Sequence, residues 1–84
     1  MAKGVDSFET VTAGTRADWR AWLAANHASS PGVWLVIHKK NNPEPSVTYV
    51  EAVEEALCFG WIDSKMNPLD ETRFRQVFTP RKPT

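Results

Sequence analysis

Residues 56–65 read Ala-Leu-Cys-Phe-Gly-Trp-Ile-Asp-Ser-Lys, and they decide the fold of this chain. An acid-rich amphipathic segment precedes Gly60, and a tryptophan, an isoleucine and an aspartate follow it without a spacer. A glycine directly after a helical pattern commonly adopts the left-handed conformation that ends a helix. The stretch therefore predicts a helix that turns sharply into a strand at Gly60 and places the Trp61 side chain in the interior.

Two helices are predicted from their start signals and their apolar spacing. Thr48 and Glu51 have the spacing of a capping box, and Thr15 is a favourable N-cap with Asp18 in the first turn. The first helix is expected to bury Trp19, Trp22 and Leu23. The expected core side of the second helix comprises Tyr49 or Val50, Val53, Ala56 and Leu57, and its expected solvent side comprises Glu51, Glu54 and Glu55.

The strand patterns complete an α+β fold. Val33–Ile37 is a continuous apolar run, which predicts a central strand covered on both faces. Arg73–Thr79 alternates with a period of two. The predicted order is strand 8–12, helix 16–27, strand 33–37, a helix between Thr48 and Gly60, strand 61–65, a turn at 67–70 and strand 73–79. This β-α-β-α-β-β order predicts a two-layer sandwich with both helices on one face of a small, mostly antiparallel sheet.

Length and composition limit the possible classes of protein. The chain has 84 residues, so a single domain over 1–84 is expected, with flexible ends at 1–7 and 80–84. The formal net charge is zero, which gives no global signal for nucleic-acid binding. One cysteine precludes an intramolecular disulfide, and no stretch has the length of a membrane span or the apolar core of a signal peptide. A cytoplasmic location is therefore expected.

Two side chains near the corner are candidates for chemistry. Cys58 lies at the C-terminal end of a helix, where the dipole disfavours a thiolate, so a buried structural thiol is the simpler interpretation. Asp63 precedes a strand that carries Arg73 and Arg75, so either a structural ion pair or an active-site carboxylate fits. Histidine, cysteine and aspartate are scattered without zinc-type spacing, so neither a metal nor a cofactor is expected.

Arginines and aromatic residues interleave in 73–82, a composition found in sites for single-stranded nucleic acid. Because these residues alternate along a strand, their rings and guanidinium groups are expected on opposite faces. A single-stranded nucleic-acid binder is therefore an alternative, and not the preferred interpretation.

Several motifs resemble the YdeI/OmpD-associated family, whose members are also called bacteriocin-protection proteins. They are Gly32-Val33-Trp34-Leu35, the block from Tyr49 to Ser64, and Phe78-Thr79-Pro80-Arg81, and the resemblance extends from Phe8 to Lys82. It implies a bacterial protein linked to bacteriocin or peptide tolerance, with no activity or cofactor to transfer. Fuller members continue beyond the Thr-Pro-Arg motif, so this chain is either a short member or a domain of a longer one.

The sequence thus favours a binding or accessory module over an enzyme that uses Cys58 or Asp63. Its expected partner is a small anionic ligand or a peptide, or else a protein. The expected ligand groove lies near the helix-to-strand corner, where tryptophans form a wall and arginines fix an anionic group. The candidate ligand-binding residues are Trp34, Trp61, Asp63, Arg73 and Arg81.

Overall fold

The computed structural model describes residues 8–81 and contains the six predicted elements in the predicted order. They are β1 (Glu9–Thr12), α1 (Arg16–Asn26), β2 (Val33–His38), α2 (Tyr49–Cys58), β3 (Trp61–Pro68) and β4 (Arg73–Pro80). The expected turn at 67–70 begins later, because β3 continues to Pro68. Flexible ends were expected at 1–7 and 80–84; residues 1–7 and 82–84 lie outside the described residues, whereas Pro80 is the last residue of β4.

The four strands form one sheet in the order β1-β2-β4-β3. β1 pairs in parallel with β2, as the crossover through α1 requires, and the other two pairings are antiparallel. The pairing of β3 with β4 shifts between Asp63 and Met66, which is a β-bulge. β3 is an edge strand, and no strand lies beyond it among residues 8–81.

Both helices begin with the predicted caps. The Thr15 hydroxyl accepts a hydrogen bond from the Asp18 amide, and Thr48 and Glu51 form a reciprocal capping box. Both helices pack on one face of the sheet over a common core. The fully buried residues of this core include Trp19, Leu23, Val33, Leu35, Val47, Ala52, Ala56 and Phe78.

The corner at Gly60 forms as predicted. Gly60 has a φ of 76°, in the left-handed region, and Trp61 is 1% exposed. The Trp61 ring meets the Trp22 ring edge-on at a centroid distance of 5.9 Å. The Arg81 amide donates to the Gly60 carbonyl at 2.8 Å, which ties the corner to the end of β4. The chain reversal therefore brings α2 alongside β3.

β2 is buried on both faces, as its apolar run predicts. Val33, Leu35 and Ile37 belong to the core beneath the helices. Trp34 and Val36 alternate with them and therefore lie on the opposite face of the sheet, where both are also buried.

Candidate functional site

The two tryptophans of the expected groove lie on opposite faces of the sheet. Trp61 packs in the core on the helix face. Trp34 is paired with Val77 on the other face, where the Arg75 guanidinium lies 3.9 Å from the centre of the Trp34 ring. A sheet separates the two indoles, so they cannot form one wall.

The two arginines of the expected groove lie at opposite ends of β4. Arg73 is its first residue and Arg81 follows its last, a separation of roughly 26 Å at the rise of a strand. Arg73 binds the Asp70 carboxylate at 2.8 Å. Hydrogen bonds that the Arg73 guanidinium and the Thr72 amide donate to this carboxylate lower the pKa of Asp70 to about 2. The structure therefore does not bring the five candidate residues together.

Asp63 has a different partner from the one expected. Its Oδ2 atom accepts a hydrogen bond from the Tyr49 hydroxyl at 2.6 Å, and this bond raises the pKa of Tyr49. The predicted ion pair with Arg73 or Arg75 was wrong, because Arg73 binds Asp70 and Arg75 covers Trp34. Asp63 instead fixes the start of α2 against β3.

Cys58 is exposed at the last residue of α2, so its interpretation as a buried thiol was wrong. The thiol faces solvent because the core side of α2 is formed by Ala52 and Ala56, which are fully buried. A position two residues beyond Ala56 lies on the other side of the helix.

The expected solvent side of α2 also contains an exception. The Glu55 side chain is only 1% exposed, beneath Arg16 and Arg20. The Arg16 Nε atom donates to Glu55 at 2.5 Å, and the Arg20 Nε atom donates at 2.7 Å. Both arginines are themselves well exposed, so Glu55 lies under a charged lid near the surface and not in an apolar interior.

Hydrogen bonds from Arg20 and Arg16 hold the pKa of Glu55 at about 2, and they outweigh the opposing effect of burial. Arg16 also binds Glu54 at 2.9 Å. This cluster joins α1 to α2. The sequence signal for it is the four-residue spacing of Arg16 and Arg20, which places both on one side of α1.

The two most exposed large apolar side chains of α2 lie on the side that faces away from α1. Val50 and Leu57 are 63% and 56% exposed, although Leu57 was expected in the core and Val50 was one of two alternatives for it. Val53 lies between them and is half-buried, and the spacing of three and four residues puts all three on one stripe. Tyr49 reaches Asp63 of β3, whereas Glu55 reaches α1, so the stripe borders β3.

The same border includes the free edge of β3. Met66 of β3 pairs with Gln76 of β4, whose side chain is buried on the helix side of the sheet. Met66 therefore lies on the same side, and it is 58% exposed. We define the α2–β3 surface as Val50, Val53 and Leu57 of α2, Met66 of β3 and the outer backbone edge of β3. This surface combines apolar side chains with a strand edge whose outward backbone amides and carbonyls can form hydrogen bonds.

Residues 8–81 show neither a metal centre nor a membrane-spanning helix. No cluster of three or more His, Cys, Asp or Glu side chains could hold a metal ion there. None of the helices in that part of the chain combines the length and the apolar character needed to cross a membrane.

A family model described as "Domain of unknown function (DUF8412)" matches residues 11–84. The chain belongs to this family. The part matched to DUF8412 contains all of α2 and β3, and hence the whole α2–β3 surface. No curated protein and no solved structure matches the chain.

Proposed function

We propose that this chain is a binding module, and not an enzyme, which docks a peptide or protein partner on the α2–β3 surface. The exposed stripe of α2 beside the open edge of β3 is the observation that carries the proposal. Single apolar side chains are common on protein surfaces, whereas a contiguous group marks an interaction site. Here Val50 and Leu57 share one stripe of α2, the free edge of β3 carries Met66, and each of the three side chains is more than half exposed.

The resemblance to the YdeI/OmpD-associated family supports the class of partner. The names of that family refer to bacteriocin or peptide tolerance, so a peptide is the natural candidate. We further propose that the module acts in the bacterial cytoplasm, in keeping with the single cysteine.

The alternative functions have weaker support. A nucleic-acid site on β4 needs guanidinium groups directed at phosphates, but Arg73 is bound to Asp70 and Arg75 stacks on Trp34. An enzyme would need a positioned reactive group. Asp63 is held by Tyr49, and Cys58 lies at a helix C-terminus, where the dipole disfavours a thiolate.

Selection of random displayed peptides on the immobilised full chain tests the proposal. Leu57→Ala should weaken the selected peptides about tenfold. Burying the exposed half of a leucine side chain is worth about 1–1.5 kcal/mol, which corresponds to that change in Kd.

The matched control is Leu69→Ala. Leu69 is 42% exposed, follows β3 and lies outside the α2–β3 surface, so this variant should bind peptides like the unmodified chain. The proposal is wrong if selection yields no binder, or if both leucine variants have the same affinity.

A further inference from the structure

We propose that the partner binds as an extended strand that pairs with the outer edge of β3 and becomes the fifth strand of the sheet. This inference rests on the proposed function, because it uses the same α2–β3 surface. Strand addition obtains its affinity from main-chain hydrogen bonds and its specificity from alternate side chains.

The hydrogen bonds at the start of β3 show which backbone groups face outward. The Arg81 amide donates to the Gly60 carbonyl, so Gly60 and Arg81 form a hydrogen-bonded pair. Such pairs alternate along an antiparallel ladder, so Ile62 also directs its amide and carbonyl toward β4. Trp61 and Asp63 consequently direct theirs to the free edge. Pro80, which has no amide hydrogen, lies opposite Trp61, as this assignment requires.

The other end of β3 has the same arrangement. The Leu69 amide donates to the Arg73 carbonyl at 3.2 Å, which marks another hydrogen-bonded pair. Alternation from that pair directs Asn67 toward β4 and Met66 outward. The bulge between Asp63 and Met66 therefore leaves outward-facing groups on both of its sides.

The side chains of the added strand would contact α2. Trp61, Asp63 and Met66 all lie on the helix side of the sheet, opposite Pro80, Phe78 and Gln76. Residues that pair with them would direct their side chains to the same side. An added strand lies about 4.8 Å beyond β3, next to the stripe of Val50 and Leu57.

This geometry defines the chemistry of the partner. Apolar residues at alternate positions would cover the stripe and Met66. A lysine or arginine opposite Asp63 would complement its half-buried carboxylate, which has acceptor sites beyond the one used by Tyr49. The bulge and Pro68 interrupt the edge, so a short segment fits better than a long strand.

Alternately N-methylated versions of a selected peptide provide the test. Methylation removes amide donors, and only every second amide of an added strand faces β3. The peptide that is methylated at the amides facing β3 should therefore bind the full chain at least tenfold more weakly. The peptide that is methylated at the other alternate amides should retain its affinity. Replacing the basic residue of the peptide by glutamine should weaken binding to the unmodified chain more than to the Asp63→Asn variant.

The contrary results separate this inference from the proposed function. If both methylated peptides lose affinity equally, while Leu57→Ala still weakens binding of the unmethylated peptide, strand addition is excluded and docking on the α2–β3 surface still stands. Insensitivity to Leu57→Ala would overturn both. A dimer of the chain that dissociates in Leu57→Ala and excludes the peptide would show that a second copy occupies the edge, and would overturn the inference.

Discussion

Gly60→Ala tests the corner that holds α2 against β3. Gly60 has a φ of 76°, and a methyl group added to it would have no heavy atom within 4 Å. The substitution therefore changes backbone preference without creating a steric clash.

The expected loss follows from two opposing effects. An L-residue in the left-handed region costs about 1–2 kcal/mol. Alanine also restricts the unfolded chain, which returns about 0.4–1 kcal/mol of stability. The net decrease in the free energy of unfolding is about 1 kcal/mol, and it should lower the Tm by about 4–8 °C for a domain of this size.

Urea unfolding followed by tryptophan fluorescence measures this difference. Gly60→Asn should lose less than Gly60→Ala, because asparagine enters the left-handed region more readily. Gly14→Ala is the matched control. Gly14 lacks a positive φ, and its added methyl would lie 3.7 Å from Asp18 Oδ2, an ordinary contact, so stability should stay the same or rise by up to about 1 kcal/mol. Equal midpoints for the Gly60→Ala and Gly14→Ala variants would refute the proposed geometry of the corner.

Three further predictions concern the core, the charged lid and the thiol. Trp61→Ala should lower the free energy of unfolding by about 3–5 kcal/mol, since the ring is fully buried. A loss below about 1 kcal/mol, measured by urea unfolding, would contradict this prediction. The pKa of Glu55 is about 2 in the folded chain, below its ordinary value of 4.5, so the unfolded chain binds more protons between these values. Its stabilising contribution is complete above pH 4.5 and is lost as the pH falls toward 2, and Glu55→Gln should flatten the dependence of the urea midpoint on pH in that window. Cys58 should react with a thiol reagent in the native protein nearly as fast as in urea, because it is exposed; strong protection would show that α2 is rotated.

The elements could be predicted because their signals are local. The capping box of Thr48 and Glu51, the glycine at position 60 and the alternation of β4 each depend on a few neighbouring residues. Such signals determine where a helix begins, where it ends and which strand residues share a face.

The rotation of α2 could not be predicted in the same way. Its apolar residues extend over more than half of the helix circumference, so periodicity permits several buried sides. The side chosen is that of Ala52 and Ala56, which allow close approach to the core, and the larger Val50 and Leu57 remain exposed. The exposure of Val50 and Leu57 was missed for this reason.

The polar partners depend on tertiary packing. Glu55 and Arg16 are 39 residues apart, and they meet only because α1 and α2 lie side by side. Trp34 and Trp61 lie in different strands, and pairing register decides that they occupy opposite faces. The expected groove combined residues that the sheet separates.

Amide chemical shifts of the isotope-labelled full chain, recorded during titration with a selected peptide, test the proposed binding surface most directly. The largest changes should occur in α2 at Val50 and Leu57 and along β3 from Trp61 to Met66. Changes concentrated instead around Thr10, Trp34 and Arg75, on the opposite face of the sheet, would contradict the assignment of the α2–β3 surface.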